Sequence, residues 1–127
     1  MTHPSKKGEH GGWWDEGRVS ALRRVYAENP GFSMSQIARA IGAPGDAIVT
    51  ATPVYPPFMS APRHMERRLV TVPLREAENW SWDLDALRAA HTPRTRGLFL
   101  CHPHNPVGRV WSDAELDALA AHAEARD

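Results

Sequence analysis

The chain has 127 residues and 14.1 kDa, with 15 basic and 15 acidic side chains and a formal net charge of zero. That length holds one domain and excludes two of ordinary size, and the absence of a basic excess argues against a general nucleic-acid binder. No apolar run approaches the ~18 residues of a membrane span or forms a charged-then-apolar leader, and the lone Cys101 excludes an internal disulfide and points to a reducing, cytoplasmic setting.

Residues 1–12 are polar and Gly-rich and read as a flexible tail. Between residues 13 and 27 the spacing of Val19, Leu22, Val25 and Tyr26 predicts a helix. Asn29-Pro30-Gly31 breaks it, because proline forces its predecessor out of the α region. A second short helix follows, capped by Ser33 or Ser35 and carrying Ile37, Ala40 and Ile41, and it ends at Ala43-Pro44-Gly45-Asp46. Residues 13–43 therefore form a helical amino-terminal segment of uncertain origin.

The texture then changes. The run from Ala47 to Thr52 is short and β-branched, as a buried parallel strand requires. A proline-rich loop follows and leads into a helix beginning at Pro56-Pro57. Arg68 to Leu74 predicts the next strand, and a polar stretch with Trp80 and Trp82 precedes a helix over Leu84 to Ala90. Gly97 to Cys101 predicts a third strand. Ser112-Asp113-Ala114-Glu115 is a capping box, with Leu116, Leu119, Ala120 and Ala123 as the buried stripe of the last helix. This alternation predicts an α/β class with a mostly parallel sheet and flanking helices, preceded by two short helices. Three strands do not finish such a sheet, so residues 44–127 read as part of a larger domain.

The segment Cys101-His102-Pro103-His104-Asn105-Pro106-Val107-Gly108-Arg109-Val110 leaves the third strand at its carboxyl end, where open α/β sheets place ligands. Two prolines bracket His104-Asn105 and stiffen the loop. The Asn105 amide can donate to a phenolate-like oxygen without bringing a charge, or it can simply close a turn. Cys101, His102 and His104 lack the further ligand that zinc needs, and Pro103 limits their convergence, so no metal site is expected and the histidines are read as facing solvent. Cys101 is read as a buried strand residue. The pairs Arg23-Arg24 and Arg67-Arg68 are read as solvated faces.

Pro53-Val54-Tyr55-Pro56-Pro57-Phe58 and the His102 to Val110 segment, with Leu-Asp-Ala-Leu at 84–87 and the Ser-Asp-Ala-Glu-Leu helix, resemble class I/II aminotransferases. These are fold-type-I enzymes using pyridoxal 5′-phosphate (PLP), and the likeness is to their cystathionine β-lyase-like C–S lyase branch. It covers residues 44–127 and departs at Cys101, where the family usually has Asn. The resemblance implies a partial large domain in which Asn105 bonds the cofactor's 3′ oxygen and Tyr55 stacks on its ring. It also places the phosphate near Gly31-Phe32-Ser33-Met34, with Ser33 as a candidate contact. The implied substrates are amino acids such as cystathionine or cysteine, cleaved to release a β-thiolate or transaminated, and the parent enzyme would be a homodimer.

The family's chemistry also needs a Schiff-base lysine. The only lysines are Lys6 and Lys7, in the tail and in no matching motif, so no catalytic residue is assigned and the chain is expected to be inactive alone. Residues 12–42 also resemble the start of GcrA-type cell-cycle regulators, which bind DNA through a helix-turn-helix. At the place of the reading helix this chain has Pro44-Gly45-Asp46, and residues 1–43 carry only six basic against four acidic side chains. Nucleic acid is therefore an improbable partner, and a regulatory helix-turn-helix-like module at 13–42 is the alternative function.

Overall fold

The computed structural model describes residue 31 and residues 33–126. The tail, the helix expected at 13–27 and the Arg23-Arg24 pair lie outside the described residues. Helix α1 (Met34–Ala40) starts at Ser33, whose hydroxyl accepts from Gln36 N–H while the Gln36 side chain accepts from Ser33 N–H. This capping box fixes the start at Ser33 rather than Ser35. Ile37 and Ala38 face inward and Ile41 closes the helix as its C-cap; Ala40, expected on the buried stripe, is exposed. Gly42 then turns the chain at φ +64, where a Cβ would sit 2.8 Å from an Asp46 carboxylate oxygen, so glycine is required on both counts.

Strand β1 (Ala47–Thr52) lies at the centre of a three-stranded parallel sheet, flanked by β2 (Arg68–Pro73) and β3 (Thr95–Phe99) in the order β2-β1-β3. Helix α2 (Pro57–His64) connects β1 to β2. A 3₁₀ turn (Glu76–Glu78) and helix α3 (Leu84–Ala90) carry the chain from β2 across to β3, and α4 (Asp113–Glu124) follows. Pro57 opens α2, where its missing N–H costs nothing. Asp83 caps α3 by accepting from Ala86 N–H. The expected α/β class and parallel sheet are what the structure shows.

Because side chains alternate along a strand, β1 supplies both cores. Ile48 meets Ile37, Ala38, Ile41, Ala61 and Phe99 on one face, with Phe58 edge-on to Phe99 at 6.3 Å. Val49 and Ala51 meet Val72, Leu87, Trp82, Trp111, Leu116 and Leu119 on the other. A parallel strand covered on both faces reads as a continuous apolar run, and that is why β1 has the limits its sequence predicts.

Four further expectations need correction. β3 runs from Thr95 to Phe99, two residues before the apolar run that marked it. The Phe99 carbonyl accepts from the Thr50 hydroxyl at 3.0 Å, and Leu100-Cys101 leaves the ladder to begin the loop, so Cys101 is buried in that loop and not in a strand. The buried stripe of α4 stops at Leu119; Ala120 is half-buried and Ala123 exposed. Arg67 is not solvated. It is 8% exposed and donates to the carbonyls of Ile41, Met65, Arg39 and Gly42 at 3.0, 2.6, 2.8 and 2.9 Å. It thereby satisfies carbonyls that the end of α1 leaves without helical partners.

Candidate functional site

At the carboxyl edge of the sheet, β1 exits through Pro53-Val54-Tyr55 and its neighbour β3 exits through the loop holding Asn105. The connection leaving β1 turns toward β2, away from β3. A backbone bond spans them: Tyr55 N–H donates to the Asn105 carbonyl at 2.8 Å. Tyr55 is 49% exposed and Asn105 is exposed, and the Asn105 side-chain amide has no hydrogen-bond partner among the described residues. Residues 50 apart in sequence are thus joined at their backbones, each with an exposed side chain, one an aromatic ring and the other a neutral donor.

The loop that presents Asn105 is tied from within. His104 N–H donates to the Arg109 carbonyl and Gly108 N–H donates to the His104 carbonyl, each at 2.7 Å. Gly108 sits at φ +75, a conformation glycine adopts without strain. The Arg109 guanidinium grips both Glu115 oxygens at 2.7 Å, donates to the Asn79 carbonyl at 2.6 Å, and lies 4.9 Å from the Trp111 ring centroid. Glu115 also accepts from Ser112 N–H at 2.8 Å as part of the α4 capping box. Burial pushes the Glu115 carboxyl up, but the Ser112 N–H and Arg109 outweigh it, so its pKa lies below the usual carboxylate value. The Trp111 indole N–H donates to the Cys101 carbonyl at 2.8 Å and closes the base of the loop.

The two histidines do not share a setting. His102 is exposed and its Nδ1 accepts from Trp111 N–H at 3.3 Å. His104, expected to face solvent, is 1% exposed: its Nε2 lies 2.7 Å from the Pro53 carbonyl and its ring packs edge-on to Trp111 at 5.4 Å. The Cys101 thiol donates to the Pro103 carbonyl and accepts from Asn105 N–H, both at 3.4 Å. Cys101, His102 and His104 are therefore occupied in separate contacts. Ser33 is occupied by its capping box, and no hydrogen bond links it to Tyr55 or Asn105 among the described residues. The sequence marked Tyr55 and Asn105 through their motifs and Glu115 through the cap. Arg109 and Trp111 were given no role from the sequence, and the burial of His104 carried no local signal, because its ring partner Pro53 lies on the exit of β1.

Residues 31–127 match the family model described as aminotransferase class I and II. The chain belongs to that family. It is 43% identical over 76 residues to a histidinol-phosphate aminotransferase of Moorella thermoacetica, covering 60% of this chain and 19% of that protein. It is 35% identical over 86 residues to a cystathionine beta-lyase of Corynebacterium glutamicum, covering 65% of this chain and 22% of that protein. Its fold matches the PLP-bound C–S lyase from Staphylococcus hominis with a TM-score of 0.70 and 29% identity, over 74% of this chain and 25% of that one. This aminotransferase-family chain thus spans about a fifth to a quarter of the length of such relatives. The family match begins at Gly31 and takes in α1, whereas the motifs alone carry the resemblance from residue 44. Among the described residues no helix is long and apolar enough to cross a membrane.

Proposed function

We propose that this chain supplies one wall of a PLP site in a carbon–sulfur lyase or aminotransferase acting on amino acids such as cystathionine or cysteine. The observation that carries this reading is the Tyr55 N–H bond to the Asn105 carbonyl, which joins the backbones of a residue with an exposed aromatic ring and one with an unpartnered amide at the carboxyl edge of the sheet. Both side chains fit the group. Tyr55 stacks on a flat heteroaromatic ring, and the Asn105 amide donates to an anionic ring oxygen and favours its ionised state. When bound, the cofactor supplies an electron sink for proton removal at the amino acid's Cα. Arg109, Glu115 and Trp111 hold the loop so that the amide keeps its direction.

The remaining parts of the reading are finer. Ser33 is a weak third contact: its hydroxyl oxygen already accepts from Gln36, leaving its own proton to donate to a phosphate. No lysine falls within residues 31–127, so we propose that the chain binds the cofactor reversibly and does not complete turnover by itself. A homodimeric parent and a cytoplasmic setting belong to the same reading.

The test is a titration of the chain with PLP. A hydrogen bond to a charged oxygen is worth about 1.5–3 kcal/mol, so Asn105→Ala is expected to weaken binding roughly ten- to a hundred-fold. Unchanged affinity in that variant would remove Asn105 from the site.

A further inference from the structure

We infer that His104 is the positioning residue that fixes how the exit of β1 carrying Tyr55 meets the loop carrying Asn105, an inference that rests on the proposed cofactor site. Two hydrogen bonds join the exits of β1 and β3, and they run in opposite directions. Tyr55 N–H donates from the β1 side to the Asn105 carbonyl, and His104 Nε2 meets the Pro53 carbonyl from the β3 side. A single bond would let the two exits pivot about it. Two bonds flanking the pair fix how the two backbone exits meet, and a ligand held by the side chains of both exits depends on that.

The chemistry of the ring follows from its surroundings. A carbonyl can only accept, so Nε2 carries the proton. Nδ1 is buried with no partner, so the form that leaves Nδ1 bare avoids sealing an unpaired N–H inside the protein. The ring cannot swing away to recover a partner, because His104 is fully enclosed, packs on Trp111, and has both backbone groups bonded within its loop. Trp111 is in turn fixed by the Cys101 carbonyl and Arg109. The clasp therefore connects the loop's anchorage on α4 to the first turn after β1.

The test compares the full chain with His104→Phe, which keeps a ring against Trp111 but loses the donor, and with His104→Gln, whose amide N–H reaches a similar place. Loss of the clasp is expected to speed hydrogen exchange at the Tyr55 amide about tenfold in His104→Phe, with the Leu119 amide in α4 unchanged and His104→Gln restored to within about twofold. PLP affinity should follow the same order. In an Asn105→Ala background, His104→Phe should cost no further affinity, a non-additivity that a merely structural role would not produce. Unchanged Tyr55 exchange in His104→Phe, or additive losses in the double variant, overturns the inference. If the parent chain fails to bind PLP, the cofactor reading falls, and Tyr55 exchange still decides the clasp. If His104→Phe does not fold, the ¹⁵N shifts of the parent chain decide it: a protonated Nε2 with a bare Nδ1 is required, and the opposite tautomer overturns the proposal.

Discussion

Tyr55 and Asn105 differ in what each would lose on substitution, and the difference tests their roles. Both are exposed, so neither contributes much to folding, and substitutions at either should leave thermal stability nearly unchanged. Stacking is worth about 0.5–1.5 kcal/mol, so Tyr55→Ala is expected to weaken PLP binding roughly two- to twelve-fold, while Tyr55→Phe keeps the ring and most of the affinity. Equal losses in both variants would move the role from the ring to the hydroxyl. Glu115 makes a different prediction, because its carboxylate is bonded in the folded chain and free in the unfolded one. Its pKa is lowered from 4.5, so the stability it provides is complete above that value and is lost as pH falls through the lower, folded one. The gap in urea midpoint between the parent chain and Glu115→Gln should therefore be constant above about pH 5 and close in more acidic solution. A gap that widens on acidification would contradict the Arg109–Glu115 assignment.

At the scale of elements, α1 is short enough that its ends decide whether it forms. Seven residues do not hold a helix by propensity, and the Ser33 box at one end and Arg67 at the other fix its limits. Arg67→Met is expected to cost about 1–3 kcal/mol, because it strands the buried Ile41 carbonyl and removes three part-buried bonds. Arg67→Lys should recover only part of this, since a point charge cannot reproduce a planar fork. Urea unfolding measures both, and a neutral Arg67→Met would show that those carbonyls find other partners. The same residue shows where sequence reading fails. Arg67 and Arg68 look alike as a pair, yet β2 begins between them and only Arg67 turns back to α1, 25 to 28 residues earlier. Local signals did fix the start of α2, α3 and the α4 cap, because each depends on neighbours within four residues, and β1 was legible because cover on both faces makes its run continuously apolar. β3 was displaced because its polar start at Thr95-Arg96 hid the ladder, while apolar Leu100-Cys101 serves the loop. Within the site, the exposed pair was legible by motif; the buried support was not, since His104 finds its partner 51 residues away.

For the molecule as a whole, the sheet brings together the ends of two strands that are separated in sequence, and this alone creates the proposed site. β1 is enclosed on both faces and by both neighbours, so it provides a rigid floor, while the contacts lie on the loops it shares with β3. The missing chemical element is an amine. Residues 31–127 hold ten arginines and no lysine; arginine stays protonated and cannot take a lysine's part. The purified chain is therefore expected to release no pyruvate from cystathionine. Borohydride, which fixes cofactor joined to a lysine, should leave peptides from residues 31–127 unmodified after PLP loading. Cofactor trapped on Lys6 or Lys7 through simple surface reactivity should be indifferent to Asn105→Ala. If trapping there requires both Tyr55 and Asn105, the amino-terminal tail reaches the site and supplies the amine, and the expectation of an inactive chain fails. Pyruvate release that survives replacement of both lysines would go further, since it would place the chemistry on a residue other than lysine.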